Sequence, residues 1–155
     1  IAMTAEQGTE WFGSPPPDLS VIARARGVDW IYTYLRSFYL DEKRPFGVNN
    51  IVFPDVGMPH VLWELQGAQK AVFTLEKDAA GNDVERFDHF EPVSEGLLSA
   101  EEYDQVARDL TAFMSYIGEP IQMERKRLGV WVLLFIAVFF VLAYMLKKEY
   151  WKDVH

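Results

Sequence analysis

The sequence predicts a mainly α-helical domain with a small β-hairpin insertion, carried on one C-terminal transmembrane helix. Three observations predict it. Residues 128–146 (LGVWVLLFIAVFFVLAYML) contain no charged side chain. At about 1.5 Å of rise per residue they reach roughly 28 Å, close to the thickness of a bilayer core. The tetrad SAEE at 99–102 is a capping box that opens a run with Tyr103, Val106, Leu110, Phe113, Met114 and Ile117 at helical spacing. Residues 71–76 and 84–90 flank the polar stretch DAAGND at 78–83 and read as two strands of a hairpin.

In chain order, residues 1–13 form a polar lead with an aromatic pair, Trp11 and Phe12. Pro15, Pro16 and Pro17 force an extended segment. Asp18 or Ser20 can cap a short helix through Ala25, which Gly27 stops. Asp29 can cap a second helix over 30–39, with Trp30, Ile31, Tyr34, Leu35 and Phe38 on a wide apolar face. Residues 40–59 then read as a long irregular stretch. Loops of that length in compact domains are commonly functional or disordered, and the Phe, Val and Ile content here argues against disorder. Residues 61–65 are too short to classify. After the hairpin, the capped helix runs on with Met114 in its packing face, and Gly118 and Pro120 close it. The expected organisation is a domain over 1–120, a linker over 121–127, a membrane anchor over 128–146 and a tail over 147–155. A buried core helix is the other reading of 128–146, but nothing else in the sequence would surround it. Trp131, Tyr144, Tyr150 and Trp151 sit near its ends, where amphipathic rings favour the membrane interface.

Charge is divided unevenly. Residues 1–123 carry a net charge of about −11, and the remainder a net of about +3. A polyanion would be repelled by the acidic part, so nucleic acid binding is not expected, whereas a cationic protein partner would be steered in. Solubility alone is the plainer reading of the acidity. Arg125, Lys126 and Arg127 precede the apolar run, and Lys147 and Lys148 follow it, so basic residues do not settle its orientation. With no cysteine, the chain has no disulfide, thiolate nucleophile or Cys-ligated metal of its own. It begins at Ile1, which reads as a processed chain or a fragment.

Little else in the sequence has the pattern of a reactive centre. His60, His89 and His155 are too scattered for a metal site, and His89 alternates with Phe87 as a surface residue of a strand would. No Ser-His-Asp spacing, glycine-rich phosphate loop or paired-carboxylate motif stands out. Met58 is different, because it stands between Gly57 and Pro59 in VFPDVGMPHVLWELQG, residues 52–67. Pro54, Gly57 and Pro59 argue against a regular helix or central strand there, so a loop must hold this methionine. A thioether is a soft ligand suited to haem iron, and it must be presented from a rigid support because its three rotatable bonds otherwise dilute the geometry. Pro54 and Pro59 supply rigidity, Gly57 lets the backbone pass close to a flat macrocycle, and Phe53 can pack on a ring. Taken alone, such a methionine also fits simple packing.

Three stretches in order resemble the cytochrome c1 family, the haem-bearing subunits of cytochrome bc1 complexes. They are PPDLSVIARARG at 16–27 followed by DWIYTYLRSFY at 29–39, FPDVGMPHVLWELQG at 53–67, and EPIQMERKRLGVWVLLF at 119–135, which leads into a single anchor with a basic tail. The resemblance spans nearly the whole chain and looks bacterial. It implies part of a class I-like cytochrome c fold facing the periplasm, with the anchor in the bacterial inner membrane and the C-terminus in the cytoplasm. It implies haem c as cofactor, with Met58 as the axial ligand to the haem iron. Arg26 then falls where the family pairs an arginine with a haem propionate, a match of guanidinium fork to carboxylate. Pro17 and Phe53 match haem-pocket positions, and Trp30 and Tyr34 lie where pocket residues occur; surface charge or helix packing are the plainer roles for these side chains.

The resemblance also has a large gap. The family attaches haem through CxxCH, whose histidine is the other axial ligand, and no such motif occurs here. We therefore assign none of the three histidines as an axial ligand. The expectation is that the attachment region precedes PPDLS outside this chain, or resides on another chain. The implied function is electron transfer within ubiquinol–cytochrome c reductase, from the Rieske iron–sulfur protein through the haem to a c-type cytochrome. The implied partners include cytochrome b, in a dimeric complex within the lipid bilayer. This chain has no catalysis of its own in that reading. The rival is a membrane-tethered periplasmic interaction module without haem.

Overall fold

The computed structural model describes residues 3–77, 79 and 81–152. Helices α1 (Ala5–Phe12), α2 (Ile22–Arg26), α3 (Val28–Arg36), α4 (Trp63–Gln66), α5 (Ala100–Gly118) and α6 (Gln122–Tyr150) hold about half of the chain. Strands β1 (Phe38–Leu40) and β2 (Val48–Asn50) form one antiparallel pair; β3 (Gln69–Lys77) and β4 (Asp83–Pro92) form another. Two compact units result, Ile1–Gly118 and Glu119–His155.

The first unit is organised around α3 and α5. Ile31 and Leu35, one helical turn apart on α3, are 3% and 5% exposed and pack with Ala107 of α5 and Ala23 of α2. Ala107 is fully buried, and its small side chain allows close helix approach. The Tyr103 hydroxyl donates to the Leu35 carbonyl at 2.8 Å, satisfying an acceptor in the last turn of α3 that the helix itself leaves unpaired. Burial pushes the Tyr103 phenol up to about 12, so it stays a donor. The Ser99 capping box forms as expected: the Glu102 amide donates to Ser99 Oγ at 3.3 Å and the Ser99 amide to Glu102 Oε2 at 2.9 Å. The buried face of α5 is rotated from the expected one. It runs through Tyr103, Ala107 and Thr111, with Leu110 and Met114 at its edge, while Phe113 is 58% exposed.

Beside this seam, Asp104 of α5 accepts from the Tyr32 hydroxyl and pairs with Arg36 at 3.1 Å and with Arg108. The Tyr32 hydrogen bond, followed by the two guanidinium groups, holds the Asp104 carboxyl below its ordinary value of 3.8. A depressed carboxylate stabilises the fold above the unfolded value and ceases to do so as pH falls through the folded one. The stability advantage of the native protein over Asp104→Asn is therefore expected to be complete above pH 3.8 and to shrink on further acidification. Urea unfolding at a series of pH values measures it; a pH-independent difference would contradict it.

Several local expectations are corrected. The polar lead, given no secondary structure from the sequence, is helical over residues 5–12, opened by a reciprocal capping box between Thr4 and Gln7. Gly8 lies inside this helix because the proline run crosses it, leaving a Cβ there only 2.9 Å from Pro15 Cα and Pro16 Cδ. Helix α2 starts later than expected and has no side-chain cap; Asp18 instead accepts from the Ser20 amide at 2.8 Å. Gly27, at φ 90, both ends α2 and precedes α3, so Asp29 stands in the first turn rather than at the cap. Helix α3 stops at Arg36 because Phe38, 1% exposed, enters a strand opposite Asn50. The stretch 40–59 therefore contains a strand, and residues 63–66 form a short helix. The β3–β4 hairpin is longer than expected, with a register irregularity at Val72/Phe73. Its turn residues 78 and 80 lie outside the described set.

The second unit is dominated by α6, 29 residues long, with mean hydropathy 2.7 in its most apolar window. It is long and apolar enough to cross a membrane. Its helix begins at Gln122, so most of the expected linker is helical. Residues 153–155 of the expected tail lie outside the described set.

Candidate functional site

The methionine loop is fastened by side chains that lie upstream of it. Strand β2 delivers Asn49 and Asn50 into the interior, 7% and 1% exposed. Asn50 Oδ1 accepts from the Val52 and Phe53 amides at 2.9 and 3.2 Å, while its Nδ2 donates to the Tyr34 carbonyl of α3 at 2.8 Å. Asn49 Oδ1 accepts from the Asp55 amide at 2.9 Å, and its Nδ2 donates to Asp41 at 3.0 Å. Arg44 clamps the same turn, donating to Asp55 Oδ1 at 2.8 Å and to its carbonyl at 2.7 Å. Asp55 has φ 62, a left-handed conformation that aspartate tolerates better than most residues. Val56, 4% exposed, anchors the turn from beneath. Gly57 is exposed, and a Cβ built on it would meet nothing within 4 Å.

On this support Met58 sits partly buried, and its Sδ accepts a hydrogen bond from the Tyr34 hydroxyl at 3.3 Å. Tyr34 stacks on Trp30, one turn earlier on α3, with ring centroids 4.9 Å apart and planes at 11°. Phe53 meets the Trp30 ring edge-on at 6.4 Å. On the other side of Tyr34 stands Phe38, which in turn stacks on His60 at 4.8 Å. Arg26 lies over the Trp30 and Phe53 rings, 5.2 and 5.8 Å from their centroids, a cation–π arrangement. It is exposed and forms no ion pair among the described residues.

The cluster is apolar enough to shift its titratable members. Burial pushes the Tyr34 phenol up to about 12, so the hydroxyl remains a proton donor at neutral pH. Burial, outweighing an opposing interaction with the Gln66 side chain, also holds His60 below the ordinary histidine value and keeps the ring neutral. His89 behaves as expected of a surface residue: it is 53% exposed and lies beside Asp88 and Glu91, which draw its pKa upward. His155 lies outside the described residues.

Five of the six residues singled out from the sequence therefore converge: Arg26, Trp30, Tyr34, Phe53 and Met58. Pro17 is exposed on the segment between α1 and α2. Sequence reading missed Asn49, Asn50 and Arg44, which hold the loop. Two consecutive asparagines after Val48 were the available signal, since such side chains bond to nearby backbone in turns. A concavity of about 860 Å³ lined by Thr33, Arg36, Gln66, Phe90 and Tyr103 among others contains none of the five.

Fold and site together define a helical domain that presents a thioether sulfur from a braced loop into an aromatic cluster, followed, among the described residues, by one helix fit to cross a membrane. Comparison with known proteins is consistent with that class. Residues 4–154 match the Cytochrome C1 family, and the chain belongs to it. It is 54% identical over 154 residues to a protein of Allochromatium vinosum named cytochrome c1, covering 99% of this chain and 62% of that one. It is 47% identical over 154 residues to a Nitrosomonas europaea protein named ammonia monooxygenase gamma subunit, covering 99% of this chain and 61% of that one. It is 29% identical over 152 residues to the mitochondrial heme protein cytochrome c1 of Saccharomyces cerevisiae, covering 92% of this chain and 40% of that one. The chain thus spans about three fifths of the length of the first two relatives.

Proposed function

We propose that this chain is part of a membrane-anchored c-type cytochrome that carries electrons within a ubiquinol–cytochrome c reductase. The observation that carries the reading is the continuous set of contacts that joins Arg26, Phe53, Trp30 and Tyr34 to the Met58 sulfur. Their chemistry fits haem. A thioether is a soft iron ligand, flat aromatic rings suit a flat macrocycle, and an unpaired guanidinium suits a propionate. Open space above Gly57 also permits close approach. Bound haem supplies one-electron chemistry at its iron. Met58 offers the sulfur from a loop whose base cannot swing. Trp30, Tyr34 and Phe53 would give the group an apolar wall, which favours the less charged reduced state. Arg26 neutralises a carboxylate at the rim.

Transfer in this reading is outer-sphere: no bond to a substrate forms or breaks. The partners in this reading would be the Rieske iron–sulfur protein as electron donor, a c-type cytochrome as acceptor, and cytochrome b as the neighbouring subunit in a dimeric complex. The haem domain faces the periplasm of a bacterial inner membrane, with the end of α6 in the cytoplasm. The net acidity of residues 1–123 steers a basic acceptor and repels nucleic acid. The CxxCH motif and its histidine come from residues outside this chain, which contains no cysteine. Although one relative carries an ammonia monooxygenase name, the match across residues 4–154 favours the cytochrome reading.

A pyridine haemochrome spectrum of the purified full-length gene product tests the proposal. The expected result is a c-type α-band with one haem per polypeptide. A full-length product without haem would leave the rival reading, a haem-free membrane-tethered interaction module.

A further inference from the structure

Tyr34 is joined to the methionine loop at two points. Its backbone carbonyl accepts from Asn50 Nδ2 at 2.8 Å, and its hydroxyl donates to Met58 Sδ at 3.3 Å. The ring between them is held by Trp30 on one side and Phe38 on the other, at 4.9 and 5.1 Å. The hydroxyl has no other hydrogen-bond partner among the described residues. A thioether is a weak acceptor, and a half-buried phenol ordinarily finds a stronger one. Here the stacked ring leaves only the sulfur within reach.

A thioether sulfur has two lone pairs. One engaged by a phenol leaves the other for a metal, so hydrogen bonding and ligation are compatible on the same atom. We propose that Tyr34 is a positioning and tuning residue for Met58: its O–H···S hydrogen bond orients the sulfur and withdraws electron density from it, raising the reduction potential of the group Met58 ligates. This rests on the reading of Met58 as a haem ligand. The sign follows from the charge of the two oxidation states. A sulfur stripped of density donates less well, and the ferric state loses more by that than the ferrous state does. Removing the hydroxyl therefore favours oxidation. Orientation acts in the same direction, because a methionine with three free torsions samples geometries in which the sulfur misses the iron.

The test uses the haem-loaded full-length protein. Tyr34→Phe keeps the ring and its stack and removes only the donor. A potentiometric titration is expected to show the oxidised-to-reduced equilibrium shifted about five- to tenfold toward oxidised, at most ~59 mV lower for a one-electron couple. Replacing Tyr34 by a fluorinated tyrosine, whose hydroxyl is a stronger donor, is expected to shift the potential in the opposite direction. A purely structural role would give no such reversal of sign. Unchanged potentials in both variants, with each retaining the native visible spectrum, would overturn the proposal. Met58→Ala in the same background separates the two claims. If it removes the Met-ligated spectrum while Tyr34→Phe leaves the potential unmoved, the tuning role fails and the ligand assignment stands. If it leaves the spectrum intact, the ligand assignment itself fails.

Discussion

Met58→Ala in the haem-loaded full-length protein is expected to lower the reduction potential by more than about 0.1 V, a modest part of the roughly 0.8 V that axial ligation commands. The thioether is a neutral, soft donor that favours ferrous iron. Alanine leaves that position to water or to another side chain, and both are harder donors that favour ferric iron. Protein stability should change far less, because Met58 is only partly buried and the loop is held from Asn49, Asn50 and Arg44 rather than from the methionine itself. A potentiometric titration paired with thermal unfolding measures both. An unchanged potential would remove Met58 from the ligand set, and a collapse of the fold would show that its main role is packing.

Asn50→Ala should cost the first unit about 2–4 kcal/mol. Asn50 makes three hydrogen bonds from a side chain that is 1% exposed, two to loop amides and one to the Tyr34 carbonyl. Each buried group left without a partner costs about 1–3 kcal/mol, and water reaching the partly exposed amides offsets some of that. The substitution also cuts the tie between α3 and the loop, so Met58 and Tyr34 lose their common reference. Urea unfolding of the full-length protein should show the lost stability, and the potential should become heterogeneous. A loss under about 0.5 kcal/mol would mean that Arg44 and Asn49 hold the loop unaided.

The parts of the molecule legible in the sequence are those whose cause is local. The capping box at Ser99 and Glu102 needs only four residues, and the hairpin needs a polar turn between two alternating stretches. The apolar run needs only length and composition. Other features were decided by competition between segments. Phe38 fits the apolar face of α3, yet Asn50 across the β1–β2 pair and the ring of His60 hold it in a strand. The Thr4–Gln7 cap was readable, but a glycine inside so short a helix obscured it until the proline run packed against it. On α5, Ala107 and Thr111 displaced Phe113 from the buried face, because close helix packing selects small side chains at the contact.

By itself the sequence determined the membrane-length helix, the acidic domain before it, and a methionine between glycine and proline in need of rigid support. Proline restricts its own backbone torsion, and glycine leaves room, so both effects are written locally. Only the tertiary structure decided what supplies most of the rigidity and what surrounds the sulfur. Two buried asparagines and an arginine brace the loop, and α3 brings Trp30 and Tyr34 to it from more than twenty residues upstream. Hydrogen bonds between distant segments depend on which groups burial deprives of water. That selection is made by the packing of the whole unit, not by any short stretch of it.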